Sequence, residues 1–126
     1  MSELLAVGCG GFVGAVARWG LSSWVQRLAG GSFPAGTFAA NILGCLLIGV
    51  FFALVEARPD WPPQVRLFLM VGMLGAFTTF STFGHETLEL LRAGSWWLAL
   101  LNVLGSATVG LLAVIAGRWI GSAVGP

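Results

Sequence analysis

Apolar residues fill four long stretches of this chain, and the polar and turn-forming positions between them are short. The stretches run from Leu4 to Val25, Thr37 to Val55, Leu67 to Leu91 and Trp96 to Ile120. Each offers the roughly 20 mostly apolar residues that a helix needs to cross a hydrocarbon core of about 30 Å. The links between them, Ala29-Gly30-Gly31-Ser32-Phe33-Pro34, Arg58-Pro59-Asp60-Trp61-Pro62-Pro63 and Ala93-Gly94-Ser95, carry Gly and Pro as turn residues. Links this short make consecutive helices antiparallel neighbours. The pattern predicts an all-α membrane protein, a single four-helix transmembrane domain over residues 1–126 with spans at about 4–27, 34–56, 63–92 and 96–121. No internal repeat or low-complexity tail is visible. Ala15-Val16-Ala17 has the small-x-small form of a cleavage site, but Glu3 and the lack of a basic residue before the first apolar run are unlike a signal peptide. The first stretch is expected to remain a span.

Composition strengthens the membrane reading: 57% of residues are hydrophobic and 9% charged, against about 25% charged in soluble domains. With a formal net charge of +1 and no basic cluster, no nucleic-acid partner is expected. Cys9 and Cys45 lie inside the first and second spans, without a Cys-x-x-Cys or Cys/His cluster, and read as small buried apolar residues. His85 and Glu89 share a helical face beside Glu86, yet a His-Glu pair gives too few ligands for zinc. No nucleophile, base and orienting group converge, so no enzyme is expected.

Charge distribution changes the picture at the level of assembly. Both termini and the middle link share one membrane face (face A), with Arg58, Arg66 and Arg118; the other two links define face B, with Arg27, Arg92 and, deeper, Arg18. The Lys/Arg asymmetry that normally fixes orientation is nearly missing. Copies inserting both ways would assemble as an antiparallel, dual-topology homodimer with an isologous interface. The Gly10/Gly14 and Gly117/Gly121 pairs have small-xxx-small spacing, which suits close helix approach between subunits or within one.

Candidate chemistry sits in the third span, in Gly75-Ala76-Phe77-Thr78-Thr79-Phe80-Ser81-Thr82-Phe83. Polar or irregular chain at mid-membrane is tolerated only where it packs in protein or lines a wet cavity. Thr79, Thr82 and Glu86 form one polar stripe at helical spacing, and Phe77, Phe80 and Phe83 an aromatic stripe beside it. Thr37 and Asn41 on the second span, and Asn102 and Ser106 on the fourth, are each one turn apart. Hydroxyls in a span also bond back to their own helix, so the pathway reading rests on convergence, and on Asn41, whose amide is hard to satisfy locally. Amide and hydroxyl donors with the positive ring edges of Phe favour an anion. Arg18 either marks that pathway, pairing for instance with Glu86, or snorkels to face B. The third helix is expected to break near mid-membrane, around Gly75 to Thr78, freeing carbonyls that suit a small cation; the competing reading is an unbroken helix in which Gly72 and Ala76 only pack closely.

Three motifs then stand together: Gly10-Gly11-Phe12-Val13-Gly14-Ala15-Val16-Ala17-Arg18, Gly36-Thr37-Phe38-Ala39-Ala40-Asn41-Ile42-Leu43-Gly44, and the third-span run through Thr78-Thr79-Phe80-Ser81-Thr82-Phe83. On these the chain resembles the Fluc, or CrcB-type, family of microbial fluoride channels over nearly its whole length. The resemblance implies a dual-topology homodimer in the cell inner membrane. It implies two fluoride pathways and a central structural sodium ion, with no organic cofactor. By that likeness Phe80 and Phe83 turn ring edges toward fluoride, Asn41 donates to it, and Thr79, Ser81 and Thr82 line the path with Ser106 opposite. Arg18 would sit at an aqueous vestibule, and the Gly75 and Thr78 carbonyls would hold the sodium. Some relatives carry tyrosine near the position of Asn102, and this chain has no Tyr. The rival readings are a small proton-coupled multidrug-type exporter, for which Glu86 is the only embedded carboxylate, and a non-transporting membrane accessory protein.

Overall fold

The computed structural model describes residues 1–125, all helix and links with no strand among them. Four helical segments are long and apolar enough to cross a membrane. The chain is a multi-pass membrane protein. Helix α1 (Ser2–Ala29) stops at Gly30 and Gly31, whose φ of 62° and 71° lie in the region that only glycine enters cheaply. Gln26 closes this corner: its Nε2 donates to the Phe33 carbonyl (3.1 Å) and its Oε1 accepts from the Gly36 N–H (3.0 Å). Helix α2 (Ala35–Ala57) returns to face A.

The third span is not one regular helix. Its first half, α3a, begins at Pro63–Arg66 with a proline at the first turn, where no N–H is needed. It widens to π-helical turns over Leu67–Leu74 and closes with Gly75–Phe77. Thr78 (φ −89°, ψ 155°) and Thr79 (φ −150°, ψ 118°) are extended, and α3b (Phe80–Arg92) starts afresh. The break is therefore at Thr78-Thr79, and Gly75 itself is helical (φ −61°, ψ −38°). After a turn through Gly94 (φ 78°), α4 (Trp96–Val124) recrosses.

Lipid tails are as apolar as leucine, so these helices associate by close packing rather than by hydrophobic exclusion. Glycine makes that possible. A Cβ on Gly10 or Gly14 would strike the Phe68 or Met73 carbonyl of α3a, and one on Gly117 the Leu46 carbonyl of α2. A Cβ on Gly121 would likewise meet the Val50 backbone. Both small-xxx-small pairs thus serve packing inside one chain and carry no weight for an assembly of two. The core is half alanine, with Ala40, Ala53 and Ala99 buried beside Leu74, Phe77 and Leu90. Exposed Trp24, Trp96 and Trp97 ring the face B end, with Trp119 at face A, as aromatic belts at the two interfaces. At face A, Arg118 forks onto Glu56 across α4 and α2 (3.2 and 2.8 Å), an exposed pair of modest worth.

Candidate functional site

The break in the third span is held open by side chains that take over the bonds of a continuous helix. The Thr79 N–H, which would otherwise meet the Gly75 carbonyl, donates to Asn41 Oδ1 (2.8 Å), while Asn41 Nδ2 donates to the Thr79 carbonyl (3.0 Å). One turn on, the Thr82 N–H donates to Thr79 Oγ1 (3.3 Å), so Thr79 caps α3b, and its hydroxyl donates to Thr82 Oγ1 (3.0 Å). The Gly75 and Thr78 carbonyls are thereby both denied their helical donors. The Leu74 carbonyl instead receives two, the Thr78 N–H and Thr78 Oγ1, each at 3.1 Å.

Beside this break lies a groove of about 680 Å³, open on one side. Asn41, Gly75, Thr78, Phe80, Phe83 and Ser106 are among its lining residues, drawn from α2, both halves of the third span and α4. Phe80 and Phe83 form a tilted ring pair, centroids 5.6 Å apart and planes at 37°. Phe80 is 84% exposed. Phe77, expected on the same aromatic stripe, is instead buried in the core: the two extended residues turn α3b relative to α3a and separate it from the pair.

Nearer face B a second cavity of about 520 Å³ is bounded by Trp19, Ser22, Arg27, Thr37 and Glu86. There the buried Thr37 hydroxyl donates to Glu86 Oε1 (2.8 Å). Arg18 is half-buried, borders neither cavity, and makes no ion pair with Glu86; its Nε is buried without a partner. Of the residues expected on the path, Thr79 joins the six lining residues named, whereas exposed Ser81 and the Thr82 hydroxyl lie outside the groove. Asn41 is satisfied not within its own helix but by the backbone of Thr79 on the third span, with one amide hydrogen to spare. Gly44 and Cys45 were missed as lining residues. Their signal was spacing, since both follow Asn41 by about one turn, and a Cβ on Gly44 would collide with Thr78 Cγ2. No group of three or more His, Cys, Asp or Glu capable of holding a metal exists among the described residues.

Four spans, one of them interrupted beside a mostly apolar groove that carries an asparagine amide, a few hydroxyls and two phenylalanine rings, define a small polytopic membrane protein with an uncharged site at mid-depth. Residues 5–118 match the family described as CrcB-like protein, Camphor Resistance (CrcB), and the chain belongs to that family. A relative from Chloroflexus aurantiacus, named fluoride-specific ion channel FluC, is 44% identical over 96% of this chain and 99% of its own length. Proteins of the same name from Magnetococcus marinus (46% identical; 94% of this chain, 97% of the relative) and Nitratidesulfovibrio vulgaris (42%; 99% and 98%) are similar over equally complete lengths. These relatives are named as channels, not as enzymes.

Proposed function

We propose that this chain forms a passive, selective fluoride channel in the cell inner membrane, releasing cytoplasmic fluoride and so conferring fluoride resistance. The observation that carries this reading is the groove itself. It joins two phenylalanine rings, a braced asparagine and a serine hydroxyl at mid-membrane, with no carboxylate among its lining residues. Ring edges bear the positive part of the aromatic quadrupole, and the spare Asn41 N–H and the Ser106 hydroxyl are donors. An anion passing such neutral groups is bound weakly at several points, which conduction requires. The full-length relatives named as fluoride channels supply the identity of the anion.

The groove is open on one side, and the exposed Phe80 and Gly75 stand there without a cover. An antiparallel second copy would complete the site and give two equivalent pathways. The Gly75 and Thr78 carbonyls, freed by the break, are hard neutral oxygens suited to a sodium ion, four of them from two copies. Such an ion would lock the two breaks together as a structural element. Ser81, Thr82 and Arg18, which border neither cavity in the single chain, would serve the approaches to the pathway in the assembled pair. The driving force is physical: hydrogen fluoride enters as a neutral acid, ionises in a more alkaline cytoplasm, and the inside-negative potential expels the anion at about 2.3 kcal/mol per charge per 100 mV.

The test is release from liposomes loaded with potassium fluoride, opened by valinomycin and followed with a fluoride electrode, with chloride in parallel. Rapid fluoride release without chloride is expected. Folded protein that releases neither ion would favour the accessory reading, and proton-coupled cation uptake the exporter reading centred on Glu86.

A further inference from the structure

Phe83 on α3b and Ser106 on α4 face the groove from different helices, and what sets their separation lies outside it. Because α3b starts anew after the break, no continuous helix fixes it to α3a, and Leu90 is its one buried residue. Asn41 secures its beginning. Farther along stands Asn102 of α4, 1% exposed and the largest fully buried side chain among the described residues. Its Nδ2 donates to Thr87 Oγ1 (3.0 Å), and Thr87 Oγ1 donates to the Phe83 carbonyl (2.7 Å). On the other side, Ser106 Oγ donates to Asn102 Oδ1 (3.5 Å). A chain of hydrogen bonds thus runs from one wall of the groove to the other, Ser106 to Asn102 to Thr87 to Phe83. Its ends line the groove and its two middle members do not.

We infer that Asn102 is a positioning residue for the ion pathway: through Thr87 it fixes α3b against α4 and so sets where the Phe83 ring stands relative to Ser106. This rests on the fluoride-pathway reading above. The asparagine is not needed to satisfy Thr87, whose hydroxyl already bonds back to its own helix. A leucine would fill a similar volume without an amide to desolvate. What the amide adds is a directed bond at one register between two helices, the service for which buried polar groups are best attested. The 3.5 Å contact to Ser106 is at the weak limit, so that hydroxyl can turn into the groove while the link to Thr87 persists.

The test uses the full-length protein in liposomes, with fluoride release measured per protein. Asn102→Leu and Thr87→Val should each slow release clearly, by up to about 100-fold if the ring is misplaced by about 1 Å, and the double variant should be no slower than either alone. Thr87→Ser keeps the hydroxyl and loses the methyl, and should stay within about threefold of the parent; a packing role would make Thr87→Ser the worse of the two. Hydrogen exchange should rise in residues 80–92 of the leucine and valine variants and stay unchanged in residues 35–57. Parent-like release from Asn102→Leu, additive losses, or Thr87→Ser as slow as Thr87→Val would overturn the inference. Should the parent itself release no fluoride, the pathway reading fails separately. The exchange pattern then decides alone, a rise in residues 80–92 supporting the brace and unchanged exchange refuting it.

Discussion

Two residues on the groove differ in what their loss should cost. Asn41 holds the backbone of Thr79 by both ends of its amide, so Asn41→Leu strands an N–H and a carbonyl at mid-membrane. An unsatisfied buried group costs about 1–3 kcal/mol, and the break then has no brace. Asn41→Leu should therefore lower thermal stability in detergent and abolish fluoride release together. Phe80 is 84% exposed in the single chain, so Phe80→Ile opens no cavity inside it. That variant should lose fluoride release with the fold intact; equal loss of stability in both variants would reassign the ring to packing. The importance of Asn41 was legible in its type and depth. Its partner was not, because the amide pairs with backbone that becomes available only once the helix has broken.

At the scale of the elements, the glycines sort by what a methyl would meet. At Gly14 it would meet the Met73 carbonyl and at Gly117 the Leu46 carbonyl, and backbone cannot step aside as a side chain can. Overpacking of this kind costs about 1–3 kcal/mol. Gly14→Ala and Gly117→Ala should each lower the unfolding temperature, whereas Gly8→Ala, with nothing within 4 Å, should be neutral or gain up to about 1 kcal/mol from helix propensity. A loss at Gly8 matching that at Gly14 would refute this helix pairing. Spacing alone could not say which helix each glycine faces, because a small-xxx-small pair looks the same whether its partner is in the chain or in another copy. Four membrane-crossing segments were plain from apolar length and turn residues. The π-helical turns over Leu67–Leu74 were not, since an unbroken apolar run has no periodicity to disturb. The break was expected around Gly75 to Thr78, and it fell at the threonines rather than at Gly75 because side-chain oxygens, not glycine's freedom, replace the lost helical bonds.

For the whole molecule, the near-balance of arginines and the open groove meet in one requirement. Six arginines and no lysine divide almost evenly between the faces, so the Lys/Arg count that normally fixes orientation favours neither, and the groove is only partly enclosed by one chain. If an antiparallel copy closes it, forcing every copy into one orientation must silence the pathway. Ser32, Ala93, Ala57 and Gln64 are exposed in the links or at helix ends, and they permit the bias in either direction. Ser32→Lys with Ala93→Lys should hold face B in the cytoplasm, and Ala57→Lys with Gln64→Lys face A. A carboxyl-terminal tag on the parent should be found on both sides of the membrane, and on a single side in each biased variant. Each variant expressed alone should then fail to protect cells from fluoride, and the two expressed together should restore protection. Full activity from one biased variant by itself would mean that a parallel assembly or a single chain conducts, and the antiparallel pair would have to be abandoned.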